Sequence, residues 1–213
     1  MGRQFGASYS EFFELINRPK PYQKEVDFIY KWANKPRFIF DVGCGTANYW
    51  KYYPKETNLY GIDKSPSMIK YQKNIICEDI TKYKAKGRFE CVTALFDVIN
   101  YIEKHAWWKH LPLIEGGVFI FDIWDKKKVD RDGFSITTRT VDSVFRRIIP
   151  LDYNGKYVDL KIEVADELGF FSETHRMYVH SHKDIERFCG KQFKIEAVKS
   201  TKTWQTWYKL KRK

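Results

Sequence analysis

Residues 37–48 read RFIFDVGCGTAN: a short apolar run, Phe38, Ile39 and Phe40, closes on Asp41 and breaks at Gly43 and Gly45. An apolar run of this length bounded by glycines predicts a buried parallel strand rather than a helix. Glycine carries no Cβ, so the backbone there can take conformations closed to other residues and a ligand can come close to it. A strand, a glycine turn and then a helix aim backbone N–H groups at the carboxyl end of a sheet. Open α/β folds bind ligands at that edge.

Beyond Gly45 a second apolar stretch, Asn58-Leu59-Tyr60-Gly61-Ile62, ends in Asp63. An acid at that spacing can accept both hydroxyls of a ribose. A dinucleotide fingerprint would place a third glycine where Asn48 stands, and the lysine of a phosphate-gripping loop is absent. DVGCGTAN (41–48) followed by LYGIDKSPSMI (59–69) resembles the first two motifs of the class I S-adenosylmethionine (SAM)-dependent methyltransferases. Asp41, two positions before the first glycine, is typical of that loop.

Working outward, residues 9–16 and 22–34 predict two helices separated by Arg18-Pro19-Lys20-Pro21 and closed by Asn34 and Pro36. Ser65-Pro66 is a helix-start signal. Residues 74–77 predict a third strand, 89–95 a fourth and 118–123 a fifth, with a helix carrying Trp107 and Trp108 ending near Gly116-Gly117. This alternation predicts a parallel sheet with helices on both faces.

The last third changes texture. Alternating β-formers and Tyr153-Asn154-Gly155-Lys156 predict antiparallel strands at about 143–152, 156–164 and 170–178. Ser181 with Asp184 predicts a capped helix that stops at Gly190, before closing strands at 191–200 and 203–210. The expected fold class is α/β: a Rossmann-like, seven-stranded, mostly parallel methyltransferase sheet with an antiparallel closing strand. An antiparallel β insertion follows the fifth strand. We expect one domain over 1–213, with residues 1–35 as lid helices and 134–178 as the inserted subdomain.

The resemblance implies SAM as cofactor and S-adenosylhomocysteine as product. It assigns the cofactor site to Tyr22, Asp41, Gly43, Cys44, Gly45, Asp63, Lys64, Met68, Asp79, Ile80, Leu95 and Phe96. Asp79 matches the acid that usually meets the adenine amino group, and Met68 and Ile69 fall near the adenine. Leu95 and Phe96 end the fourth strand, which contacts the methionine part. Glu90 stands where an aspartate is more usual.

Net charge is +11, with clusters at Lys126–Lys128 and in the Lys209–Lys213 tail. Such a surface can attract a polyanion, or can simply be solvated. No apolar run reaches the ~18 residues of a membrane span. The N-terminus lacks the apolar core of a signal peptide, and Gly6 argues against N-myristoylation. Cys44, Cys77, Cys91 and Cys189 have no paired spacing, which fits reduced, buried thiols and indicates neither zinc nor a disulfide framework. The expected setting is cytoplasmic, without a membrane partner or a metal, as monomer or homodimer.

The place after strand four holds Phe96-Asp97-Val98-Ile99, lacking both the Asp/Asn-Pro-Pro-aromatic of amino-methylating DNA enzymes and the cysteine of cytosine C5 enzymes. The chain is more similar to small-molecule methyltransferases with a β insertion, notably the nucleotide-sugar N-methyltransferases. The matching pieces are residues 7–10, Val98-Ile99-Asn100-Tyr101 and Glu173-Thr174-His175-Arg176. Those enzymes flank the reacting amine with an N-terminal tyrosine, matched by Tyr9, and a histidine after strand four, where this chain has Tyr101.

Methyl transfer is an in-line displacement, so holding donor and acceptor aligned does most of the work. An alcohol acceptor also gains from a base. Tyr9, Tyr101 and His175 are the catalytic candidates. His175 can be a base or substrate ligand, or an ordinary hydrogen-bonded strand residue, while His105 and His110 read as surface positions of a helix. The expected reaction moves the SAM methyl group to N or O of a small polar acceptor such as a sugar nucleotide. An RNA methyltransferase and a non-catalytic binding module on the same fold are the alternatives.

Overall fold

The computed structural model describes residues 7–69, 73–84, 87–167, 169–199 and 204–213. Phe38–Val42 is strand β1, buried from Ile39 onward. It pairs in parallel with β2 (Asn58–Asp63) on one side and β4 (Phe89–Ala94) on the other. Strand β3 (Ile75–Cys77) extends the sheet beyond β2, and β5 (Leu113–Trp124) extends it beyond β4, both parallel. Strand β11 (Gln205–Arg212) runs antiparallel to β5, with β10 (Phe193–Lys199) outside it. The order β10-β11-β5-β4-β1-β2-β3 is the expected seven-stranded, mostly parallel sheet with an antiparallel closing strand.

Period-two alternation splits the buried strands between two layers. Ile39, Cys91 and Ile120 pack under helix α2 (Tyr22–Trp32), which turns Tyr22, Val26 and Ile29 inward. Phe40, Val92, Phe119 and Phe121 face Trp107, Trp108 and Leu111 together with Ile185 and Cys189. Helix α1 (Ala7–Ile16) lies against the insertion, with Ile16 buried beside Val144, Ile162 and Val164. No helix among the described residues is long and apolar enough to cross a membrane.

After β5, Asp125 accepts the Lys127 N–H and caps α3 (Lys126–Asp132), so the lysine cluster sits on a short helix. The insertion is a four-stranded antiparallel sheet: β6 (Thr137–Val141), β7 (Val144–Tyr153), β8 (Tyr157–Asp166) and β9 (Gly169–Tyr178). The Asn-Gly signal holds: Gly155 takes φ +83°, and the Asn154 side chain accepts the N–H groups of Lys156 and Tyr157. Helix α4 (His182–Cys189) starts with the Ser181/Asp184 capping box and stops at Gly190, as expected.

Several expectations need correction. Ser65-Pro66 opens a turn rather than a helix over the residues described there, because Asp63 accepts the Ser65 N–H and folds the chain back. The glycine loop runs into a 3₁₀ helix, Asn48–Tyr52, and Trp107 and Trp108 also sit in one, Ala106–His110. Gly116 and Gly117 do not end that helix; they lie inside β5. Gly116 takes φ +73°, and a Cβ on Gly117 would meet the Ile114 carbonyl at 2.9 Å. The β4–β5 register shifts there, so the glycines mark a bulge. Strand β6 is an addition: its exposed residues carry no apolar alternation, and Asp142 at φ +51° turns it into β7. Cys77 is exposed rather than buried, although all four cysteines are free thiols.

Candidate active site

The glycine loop and the end of β2 are built as one unit. Gly43, at φ +66°, donates its N–H to the Ile62 carbonyl at 2.7 Å. Gly45, at φ +53°, donates to Asp63 Oδ2 at 2.9 Å, and Ser65 donates to Oδ1 at 2.8 Å. Burial pushes the Asp63 carboxyl above its ordinary pKa, and those two N–H groups work against that push. A Cβ on Gly43 would lie 2.5 Å from Val98 Cγ2, so only glycine fits without a shift.

Asp41 lies below the loop. Thr93 Oγ1 donates to its Oδ1 at 2.7 Å and Trp50 Nε1 to its Oδ2 at 2.9 Å. Full burial pushes its carboxyl up to about 6 against these hydrogen bonds. Burial, with Asp41 and Asp63 nearby, keeps the Cys44 thiol protonated and inert. Glu90, the departure from the usual aspartate, accepts the N–H groups of Arg37 and Phe38 at 2.5 and 3.1 Å and fixes the start of β1.

Past the end of β4, Phe96 and Asp97 both take left-handed backbone, φ +66° and +65°. This strained pair is held by one side chain: Asp122 accepts the Phe96 N–H at 2.7 Å and the Asp97 N–H at 3.1 Å. Gln205 donates to Asp122 at 2.8 Å. Burial raises the pKa of both carboxyls, and the charge of Asp97 raises Asp122 further. Lys20 stands 4.9 Å over the Phe96 ring and pairs with Glu25, and its charge opposes both shifts.

These pieces wall a cavity of about 560 Å³, a size ordinary for small-molecule sites. Tyr22, Asp41, Gly43, Cys44, Gly45, Asp63, Lys64, Met68, Asp79, Ile80, Leu95 and Phe96 all line it. Asp79 Oδ1 accepts both the N–H and the hydroxyl of Thr81, which fixes the turn at that end. The Thr46 hydroxyl is buried on the same wall without a hydrogen-bond partner among the described residues. The insertion forms the opposite wall through Arg146, Ile148, Leu160, Ile162 and Met177, with Phe13 of α1 beside them.

Tyr101 is on the wall. Its hydroxyl lies 2.9 Å from His175 Nδ1, and His175 Nε2 lies 2.6 Å from Glu173 Oε1. His175 itself is fully buried behind Tyr101 rather than on the cavity surface. Tyr9 falls in α1, and its side chain lies outside the described residues. His110 is exposed, as expected, but His105 is not a surface residue. It is buried among Trp107, Trp108 and Phe188, with Nε2 3.2 Å from His180 Nε2. Asp97, Asp122, Phe13 and Arg146 were not expected at the site. Asp122 did carry a signal, since it is a lone acid inside the apolar run 118–123.

No protein-family model matches the chain, and no curated protein matches it. Solved structures do. An S-adenosylmethionine-dependent methyltransferase from Clostridium acetobutylicum is 24% identical with a TM-score of 0.78, over 96% of this chain and 97% of that one. SAM-bound CalS10, an amino pentose methyltransferase from Micromonospora echinaspora, is 16% identical with a TM-score of 0.77 over the whole of both chains. KedS8, a sugar N-methyltransferase from Streptoalloteichus, is 18% identical with a TM-score of 0.78, over 100% of this chain and 96% of that one. With sheet order, insertion and glycine loop all in agreement, the chain has the fold of the class I SAM-dependent methyltransferases.

Proposed function

We propose that this chain is a SAM-dependent methyltransferase that transfers the methyl group to N or O of a small polar acceptor, with an amino-sugar nucleotide as the first candidate. The observation that carries this reading is the clasp of Asp63 by Gly45 and Ser65 at the mouth of the glycine loop. It holds a half-buried carboxylate where a ribose would need an acceptor for its hydroxyls. The chemistry of the walls fits the cofactor. Asp63 would take the ribose, and Asp79, Ile80 and Met68 the adenine. The glycine loop, Leu95 and Phe96 would take the methionine part, with Thr46 offering a hydroxyl that has no partner among the described residues.

When bound, the cofactor supplies an activated methyl group on a sulfonium. The protein's own part is to exclude water, align the acceptor and receive its proton. The insertion and Phe13 of α1 line the cavity together with the glycine loop, which suits a small acceptor better than a nucleic-acid strand. Tyr101, His175 and, from α1, Tyr9 are the catalytic candidates. The test is a screen with SAM carrying a labelled methyl group against amino-sugar nucleotides, simple amines, alcohols and RNA. Label on a small amine or alcohol supports the proposal; label on RNA alone overturns the small-acceptor reading.

A further inference from the structure

Glu173, His175 and Tyr101 form a chain of hydrogen bonds that ends at the cavity. Glu173 and His175 are neighbours on the same face of β9, two residues apart, and Tyr101 reaches them from the 3₁₀ helix Val98–Tyr101 after β4. The contacts are 2.6 Å at His175 Nε2 and 2.9 Å at Nδ1. A carboxylate can only accept, so the ring proton facing Glu173 belongs on Nε2. In the tautomer that turns Nε2–H to Glu173, the Nδ1 lone pair faces Tyr101, and the Tyr101 O–H is the group that donates to it. Tyr101 then directs its hydrogen to Nδ1 while its side chain stands on the cavity wall.

We infer that this carboxylate–imidazole–phenol relay makes Tyr101 the proton acceptor of the site and serves a methyl acceptor that carries a proton on N or O. The inference rests on the methyltransferase reading above and goes further by fixing the direction of proton flow. In the step, the acceptor lone pair forms a bond to the methyl carbon while the carbon–sulfur bond breaks. The electron pair of that bond stays on the sulfur. The acceptor's proton passes to the Tyr101 oxygen as the phenol's own proton passes to Nδ1. An imidazolium results, held between Tyr101 and the Glu173 carboxylate. Its proton returns through Tyr101 to solvent when the product leaves. Tyr101 is the catalytic residue in this scheme, and His175 and Glu173 are positioning residues.

Nitrogen-15 NMR of histidine-labelled protein tests the geometry independently of activity. His175 is expected as the Nε2–H tautomer; an Nδ1–H tautomer would reverse the Tyr101 hydrogen bond and overturn the relay. Kinetics test the chemistry. Tyr101→Phe should lower kcat by roughly 10²-fold or more, and Glu173→Gln by at least about tenfold. Both should leave the SAM affinity and the circular dichroism unchanged. Glu173→Gln keeps a hydrogen-bonding side chain of the same size, so a purely structural role would leave kcat intact, and that result overturns the relay. Absence of SAM binding in the wild type would instead overturn the function proposed above, leaving the tautomer result to stand by itself.

Discussion

Gly45 donates its backbone N–H to the Oδ2 of Asp63 at 2.9 Å, joining the glycine loop after β1 to the acid at the end of β2. Neither residue alone defines a binding site. Together they fix the loop's path and leave a carboxylate at the cavity wall. Asp63→Asn keeps the shape but cannot accept from both Gly45 and Ser65. We expect it to lower SAM affinity roughly tenfold to a hundredfold, the value of one hydrogen bond to a charged group. Calorimetric titration of both proteins checks this.

Gly43→Ala meets two obstacles at once: a left-handed φ of +66° and a contact of 2.5 Å with the stiff side chain of Val98. We expect a loss of about 2–4 kcal/mol of stability and weaker SAM binding. Gly155→Ala, at φ +83° in open space, should cost only about 1 kcal/mol and leave SAM binding unchanged. Adding Val98→Ala to Gly43→Ala should recover the steric part and none of the backbone part. Urea denaturation of the four proteins separates the two.

The buried His105–His180 pair makes stability depend on pH. Burial, aided by the charge of His180, holds the His105 pKa down at about 2, against about 6.5 in the unfolded chain. The unfolded state therefore takes up a proton that the folded state refuses. Stability attached to His105 is present above pH 6.5 and lost as pH falls toward 2, by about 1.4 kcal/mol per pH unit. Asp41, pushed up to about 6, acts in the opposite sense: its contribution is lost as pH rises from about 4 to 6. Comparing wild type with His105→Leu isolates the histidine. The variant should gain about 2 kcal/mol relative to wild type between pH 7.5 and pH 5, read from urea midpoints.

Helix α4 depends on its capping box, in which Ser181 and Asp184 exchange hydrogen bonds. Ser181→Ala should cost about 1 kcal/mol and leave SAM affinity untouched, because no residue of α4 lines the cavity. Thermal melts with a parallel titration check both halves.

What could be seen in the sequence follows from how local each signal is. The RFIFDVGCGTAN stretch and Asp63 are local, and they placed β1, β2 and the residues that line one side of the cavity. The Asn154-Gly155 turn and the Ser181/Asp184 cap are local too, and both formed where expected. What the sequence hid was made by partners far apart in the chain. Asp122 matters because β5 carries it beside the backbone of Phe96 and Asp97. His105 reads as polar and exposed until α4 and the 3₁₀ helix close over it. Gly116 and Gly117 looked like a stop, but the neighbouring strand turns them into a bulge. His175 was read either as a base or substrate ligand or as a hydrogen-bonded strand residue, and its burial behind Tyr101 depends on a partner far away in the chain.

Calorimetric titration of SAM and S-adenosylhomocysteine into the purified protein asks whether the Gly43, Gly45 and Asp63 wall holds SAM. We expect saturable one-to-one binding of both at micromolar-scale affinity. No heat from either ligand, in a folded sample shown to be free of copurified nucleoside, would contradict the account.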